Sequence, residues 1–408
     1  MTERGNEISR QVVTVVALAV VTSTFAFVMS DRYGFFDLDV YYGTLSSWVH
    51  GDGEIYDYLK PGTTYGFTYP PFAALVMLPL AYMSWAVAVV VAATVSVLAT
   101  ALVLWWLVTP MARRQGWSQW YVFGLLGSLV VAFEPLRETI AFGQINMLLV
   151  LLVVADFRWL VARDSRWAGV GIGLAAAIKL TPGIFIIYLL VSRHWRMSIT
   201  AIGTVVAATV LAAAIAPSAS EEFWTRALWD TGRVGDLSYV PNQSLHGFLA
   251  RLDPAHPDRL LGLALVLVAL GIWASRVRTL PTSAPAGTAP RVRAEMTGLA
   301  LTGVVGCLIS PITWVHHLVW LLPALIALVD NGFEAPPRSI RRRLLLGFAA
   351  ITYALLTSQL IWIWSEGASG LELVFGYSAY FWATLALLLF FPRPMADASA
   401  RPRGVTAS

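Results

Sequence analysis

DRYGFFDLDVYYGTLSSWVHGDGEIYDYLKPGTTYGFTYP, residues 31–70, is the one long polar stretch near the front of a chain that is otherwise mostly apolar. It carries six carboxylates (Asp31, Asp37, Asp39, Asp52, Glu54, Asp57) against Arg32 and Lys60, interleaved with Tyr41, Tyr42, Trp48, Tyr65, Tyr69 and other aromatics. Carboxylates accept hydrogen bonds and protons from hydroxyls, and flat rings stack on the apolar faces of pyranoses, so the mixture suits sugar chemistry. The same composition also describes an ordinary interfacial loop with an aromatic belt. What lies on either side decides the fold. Residues 11–29 before it are a continuous apolar run, and after Pro70-Pro71 the chain turns apolar again.

Working outward, the 408 residues are 57% hydrophobic and 13% charged, with a mean hydropathy of +0.67, the composition of a polytopic membrane protein. A hydrocarbon core of about 30 Å needs about 20 apolar residues per helical span, and such runs recur from residue 11 to residue 392. We read the first as a retained helix, since no small-residue cleavage site follows Met29. The expectation is one all-α integral membrane domain over residues 1–408 with about twelve transmembrane helices. Short apolar helices are expected at 71–82 and on either side of a break at Lys179-Leu-Thr-Pro182. Long polar loops fall at 31–70 and 217–259, a flexible linker at 276–293 and a polar tail at 393–408. The single Cys307 excludes internal disulfides.

The net charge of +4 resides almost entirely in arginine, Lys60 and Lys179 being the only lysines. These arginines cluster in the connections 113–114, 158–166, 193–196, 276–293 and 338–343 and in the tail. Membrane topology explains them without a nucleic-acid partner, because such loops stay cytoplasmic. That assignment places 31–70, 133–143, 179–182, 217–259 and 310–317 together on the extracytoplasmic face of a plasma-membrane protein. Polar groups at membrane depth are costly unless they line a cavity, so five such segments on one face imply a shared site there.

Within those segments Asp37 is the first candidate for a general base, with Asp39 two residues on as its competitor. Lys179, isolated in Ala-Ala-Ala-Ile-Lys-Leu-Thr-Pro, has two readings: a snorkelling cation or a contact for an anion such as a lipid phosphate. Arg137 either does the same or pairs with Glu134 and Glu138. His316 and His317 point about 100° apart on a helix, which suits donation to a phosphate better than chelation of one metal ion. Gly143-Gln144-Ile-Asn146 and Asn242-Gln243-Ser244 offer neutral groups for hydroxyls. No P-loop, no G-x-G-x-x-G and no metal-ligand spacing is present, so neither a cofactor nor a metal is expected.

In chain order, Asp37-Leu-Asp-Val-Tyr41, Thr68-Tyr-Pro-Pro71, Glu134-Pro-Leu-Arg137 with Gly143-Gln-Ile-Asn146, Ile178-Lys-Leu-Thr-Pro182, Asn242-Gln-Ser-Leu245 and Ser310-Pro-Ile-Thr-Trp-Val-His-His317 resemble the actinobacterial polyprenol-phosphate-mannose-dependent mannosyltransferases. These form glycosyltransferase family 87, within the membrane-embedded GT-C class. The resemblance implies a GT-C fold and transfer of mannose, with inversion, from a polyprenyl phosphate to a glycolipid acceptor, phosphatidylinositol mannoside or lipomannan, forming an α-(1→2) linkage. It implies Asp37 as base; from the residue inventory Lys179, Arg137, His316 and His317 are the candidate donors to the leaving phosphate, with His316 taken as the second catalytic residue. Substrate-binding roles would fall to Asp39, Tyr41, Tyr69, Glu134, Arg137, Gln144, Asn146, Lys179, Asn242, Gln243 and His317. A pentosyl transfer within the same class, a glycolipid flippase and a scaffold subunit are the competing readings. The flippase would require matched halves, which the spacing of the long loops does not supply.

Overall fold

The computed structural model describes residues 2–29, 33–230, 235–364 and 367–392. Asp31, Arg32 and Arg233, and the tail with Arg393, Arg401 and Arg403, lie outside the described residues. Within them the chain is helical, with no strand beyond one isolated bridge between Leu59 and Gly66. The helices are α1 (Thr2–Val28), α2 (Phe36–His50), α3 (Pro71–Met77), α4 (Trp85–Arg114), α5 (Gln119–Ala132), α6 (Glu134–Ala141), α7 (Asn146–Ala155), α8 (Val170–Ile178) and α9 (Ile184–Val191). They continue as α10 (Trp195–Ile215), α11 (Pro217–Glu222), α12 (Leu245–Leu252), α13 (Arg259–Arg278), α14 (Ala289–Ile309), α15 (Leu322–Glu334), α16 (Ile340–Leu355) and α17 (Ala379–Phe390).

Seven helices among the described residues are long and apolar enough to cross a membrane, eight if α5 and α6 form one span, so the expected count of about twelve is not reached. The shortfall has a local cause. Several apolar runs are cut below spanning length, as between α8 and α9, where Pro182 follows Lys179 at the helix end. The pair α5 and α6 bends by 69° at Phe133, because Pro135 has no N–H to continue the ladder. Shorter apolar helices cover Pro71–Tyr82, Thr181–Val191 and Ala379–Phe390.

Three further sequence expectations change, the first at 217–259, where the expected polar loop contains the helices α11 and α12. The loop at 31–70 contains a 15-residue helix, α2. The linker expected over 276–293 shrinks to residues 279–288, since α13 runs to Arg278 and α14 opens with Pro290 in its first turn. Arg291 then pairs with Glu295 one turn later at 2.9 Å, and Arg293 with Glu334 at 2.9 Å, so both arginines are helical and anchored.

The core centres on α14 and on the 3₁₀ turn Val315–Leu321 leading into α15, the two most deeply buried apolar segments, while α1 is almost wholly exposed along its side. At one end of the bundle the arginine-rich connections are tied together. Arg114 bonds Asp330 at 2.5 Å, Arg196 bonds Asp164 at 2.7 Å, and the Gly287 N–H donates to the Ala162 carbonyl at 2.8 Å. Close helix contact inside the bundle needs glycine in places. A Cβ on Gly173 of α8 would lie 2.5 Å from the Ala201 carbonyl oxygen of α10.

Candidate active site

All five polar segments singled out from the sequence contribute walls to one cavity of about 580 Å³, with Gln144 and Trp362 completing it. How Asp37 reaches that cavity follows from a junction of two helix ends. The terminal carbonyls of α6 would be left without partners, as would the first N–H groups of α2. They satisfy each other: Phe35 N–H donates to the Ala141 carbonyl at 3.0 Å, and the N–H groups of Asp37 and Leu38 donate to the Phe142 carbonyl at 3.1 and 3.0 Å. Gly143 follows at φ +71°, and a Cβ there would lie 2.5 Å from Leu38 Cβ, so the approach requires glycine. The junction sets Asp37 in the first turn of α2, where a carboxylate is favoured by the helix dipole.

From Asp37 a continuous polar chain crosses the cavity wall. Gln144 Nε2 donates to Asp37 Oδ2 at 2.7 Å, and Tyr69 donates through its hydroxyl to Gln144 Oε1 at 2.8 Å. Lys179 Nζ donates to that Tyr69 hydroxyl at 3.1 Å, and the Tyr41 hydroxyl lies 2.8 Å from it. Lys179 also donates to Asn146 Oδ1 at 3.0 Å and stands 3.0 Å from His317 Nε2. The lysine therefore turns inward from the C-terminal end of α8, with its ammonium 4.9 Å from the Tyr69 ring centre. It does not snorkel. Burial pushes the Asp37 carboxyl up to about 6; the Gln144 bond and the charges of Lys179 and Lys60 pull the other way and offset it only in part.

Asp39 faces elsewhere. It is paired with Lys60, whose ammonium sits 4.8 Å from the Phe36 ring centre, and it contributes nothing to the cavity walls. Asn146 works behind the wall: its Nδ2 donates to the His316 carbonyl at 3.2 Å, as Thr139 Oγ1 does at 2.9 Å. The two histidine rings separate. His317 adjoins Lys179, whereas His316 leans on Phe142 with ring centres 5.2 Å apart, and neither of its nitrogens has a hydrogen-bond partner among the described residues.

Besides Asp39 and Asn146, four more sequence-predicted residues are not brought to the cavity. Arg137 turns toward α1, donating to the carbonyls of Met29 at 3.0 Å and Ala26 at 3.5 Å and covering the Phe25 ring. Glu134 receives the Trp362 indole N–H at 2.7 Å and is bonded by the Tyr380 hydroxyl. Asn242 Oδ1 accepts from the Thr313 N–H at 2.9 Å, and Gln243 Oε1 accepts from the Phe381 N–H at 2.9 Å. The last pair hold the 310–317 turn and α17 in place; their short polar side chains find unsatisfied backbone groups before they find solvent.

The sequence reading passed over Glu138, treating it as a neighbour of Arg137. It lines the cavity with Tyr33, Phe142, Tyr239 and Trp314. The available signal was its four-residue spacing from Phe142 on a helix whose next residue, Gly143, was already singled out. Among the described residues no three His, Cys, Asp or Glu side chains group as metal ligands.

Fold and site together define a polytopic helical membrane protein with a half-buried acid and a buried cation facing one cavity. Residues 67–311 match glycosyltransferase family 87. The chain is 33% identical over 337 residues to the polyprenol-phosphate-mannose-dependent alpha-(1-2)-phosphatidylinositol mannoside mannosyltransferase of Mycolicibacterium smegmatis, covering 78% of this chain and 73% of the relative. It is 32% identical over 329 residues to the corresponding phosphatidylinositol pentamannoside mannosyltransferase of the same organism, covering 79% and 75%. Similarity extends at 31% identity over 219 residues to the alpha-(1->3)-arabinofuranosyltransferase of Corynebacterium glutamicum, covering 52% and 49%. No solved structure matches the chain. The chain belongs to glycosyltransferase family 87.

Proposed function

We propose that this protein is a plasma-membrane mannosyltransferase that moves mannose from polyprenyl-phosphate-mannose to a mannosyl glycolipid, phosphatidylinositol mannoside or lipomannan, building an α-(1→2) linkage on the extracytoplasmic side. The observation that carries the reading is the placement of Asp37 and Lys179 on one cavity, linked through Gln144 and Tyr69. The relatives named for this activity match over about three quarters of the chain, the arabinofuranosyltransferase over about half.

In this mechanism Asp37 accepts the proton of the acceptor hydroxyl. The freed oxygen attacks the anomeric carbon from the face opposite the phosphate, the bond from that carbon to the phosphate oxygen breaks, and its electron pair stays on the phosphate. Configuration inverts. Polyprenyl phosphate departs as a stable anion, so the second carboxylic acid of a hydrolytic glycosidase has no task here. Lys179 and His317 stand where a phosphate oxygen gains charge, and preorganised donors at such a position lower the barrier more than the same groups would in water. Gln144 holds Asp37 in orientation. The donor is a lipid-linked substrate, and no separate cofactor enters the scheme.

Membranes carrying the protein would be given radiolabelled polyprenyl-phosphate-mannose and a phosphatidylinositol mannoside acceptor, with a polyprenyl-phosphate-arabinose donor in parallel. Label transfer from the mannose donor, lost in Asp37→Asn, is the expected result. Transfer from the arabinose donor alone would overturn the mannose reading and keep the class.

A further inference from the structure

Two kinds of arginine meet at the arginine-rich end of the bundle. One kind reaches a carboxylate: Arg114 holds Asp330, Arg196 holds Asp164, and Arg291 and Arg293 hold Glu295 and Glu334. Arg158, Arg163 and Arg166, all in the turn between α7 and α8, have neither a carboxylate nor a hydrogen-bond partner among the described residues. The acids of that turn are already engaged. Asp164 is taken by Arg196 at 2.7 Å, and the buried Asp156 accepts the N–H groups of Gly169 at 3.0 Å and Ile172 at 2.9 Å, which caps the start of α8.

These three arginines lie on indole rings instead. The guanidiniums of Arg158 and Arg163 stand 4.9 and 4.4 Å from the centre of the same Trp159 ring, and that of Arg166 stands 5.3 Å from the centre of Trp167. An arginine that rests its flat face on a ring keeps its row of N–H donors for a second partner. Arg158 is half-buried and feels the like charge of both Arg163 and Arg114. Gathering positive charge away from bulk water is unfavourable until an anion joins it.

The level of the cluster selects the anion. Trp159 meets Trp106 of α4 edge to face with ring centres 6.2 Å apart, and the adjacent Trp105 is exposed on the flank of that membrane-crossing helix. Tryptophans collect where hydrocarbon gives way to headgroups, so the arginines on Trp159 stand at the level of lipid phosphates. The exposed Trp159 and Trp167 rings offer apolar surface to the rest of such a lipid.

We infer that Arg158 and Arg163, held on Trp159, form a binding site for the phosphate of an anionic phospholipid in the leaflet at the arginine-rich end. The site lies apart from the cavity and owes nothing to the transfer chemistry. Its occupant braces the turn from which α8 starts, and α8 ends at Lys179.

The full-length protein, purified in a mild detergent, would be offered equal amounts of phosphatidylglycerol and phosphatidylcholine, and the retained lipid read by native mass spectrometry. Both lipids carry a phosphate, but only the first has a net negative charge. The wild type is expected to retain phosphatidylglycerol over phosphatidylcholine by about tenfold or more, the worth of two basic side chains at a charged surface. Arg158→Gln combined with Arg163→Gln should bring the preference to within about twofold. Arg278→Gln combined with Arg343→Gln, at exposed positions in α13 and α16, removes the same net charge and should leave the preference intact. Arg163→Gln alone, also at an exposed position, should cost about threefold, which keeps the test decisive if the double variant fails to fold. A wild type without the preference overturns the site, as does a preference that survives the substitutions at 158 and 163. An equal loss in the Arg278 and Arg343 pair overturns it too, since net charge alone would then select the lipid. Excess inorganic phosphate at constant ionic strength should leave the bound phosphatidylglycerol in place; displacement would make this a site for free phosphate and overturn the lipid assignment.

Discussion

Gln144 Nε2 donates to Asp37 Oδ2 at 2.7 Å, while Gln144 Oε1 accepts from Tyr69 at 2.8 Å. One amide thus fixes the carboxylate and joins it to the hydroxyl that Lys179 also bonds. The acid and the cation are linked through two side chains, Gln144 and Tyr69, and most of the consequences below follow from that.

In the proposed mechanism Asp37→Asn removes the base and puts an amide of the same shape in its place. Mannosyl transfer is expected to fall by about 10²–10⁴-fold, the range for loss of a general base. Asp39→Asn, which only breaks a half-buried pair with Lys60 away from the cavity, should cost less than about fivefold. Parallel rate measurements on the two variants check this; equal losses would contradict the assignment of the base.

The pH profile carries a sign. Transfer requires ionised Asp37, and burial raises that carboxyl from 3.8 to about 6, so activity should fall off below about pH 6 rather than near pH 4. The Gln144 hydrogen bond stabilises the charged form, and Gln144→Leu should therefore move the acid limb to higher pH. Stability runs the opposite way for this group. Between 3.8 and about 6 the folded state holds the proton that the unfolded state has lost, so Asp37 costs stability as pH rises through that window. Asp37→Asn is accordingly expected to melt a few degrees above the wild type at pH 7, read from thermal unfolding in detergent.

Lys179→Met should lower kcat by about 10²–10³-fold, the typical worth of a preorganised donor at a site of developing charge. Lys179→Arg is expected not to restore it, because the planar guanidinium cannot reproduce a point charge shared among Tyr69, Asn146 and His317. Single-turnover rates with saturating donor make the comparison.

Arg137 provides the contrast. Its guanidinium bonds the carbonyls of Ala26 and Met29 at the end of α1, so Arg137→Leu should destabilise the fold by about 1.5–3 kcal/mol. Folded protein should keep its donor KM. Melting temperature and KM measured on one preparation decide it, and a raised KM at unchanged stability would return Arg137 to the phosphate.

How much of this was legible beforehand differs by residue. Hydropathy and the arginine clusters suffice for an all-helical membrane chain, because burial in lipid and retention of positive charge act on composition and order along the chain. They also pick out the five polar segments, Asp37, Lys179 and the histidine pair, since each breaks an apolar context at a cost that needs a reason. Glu134, Arg137, Asn242 and Gln243 carry the same local signal as Gln144 and Asn146, yet they point away from the cavity. A side chain's direction depends on which backbone groups and aromatic faces lie within a few ångströms once the helices have packed, and these neighbours are distant in sequence. Which of Asp37 and Asp39 lines the cavity was of that kind. It was decided by the junction of α6 and α2, where the Phe142 carbonyl caps the N–H groups of Asp37 and Leu38 and leaves Asp39 to Lys60. Glu138 became visible in the same way, as a cavity wall created by the packing of α6 against the His316 turn. Residue types and their order determined that this protein spans a membrane and holds charge inside it; only the meeting of helix ends, through hydrogen bonds between residues far apart in the chain, decided which of those charges share a cavity.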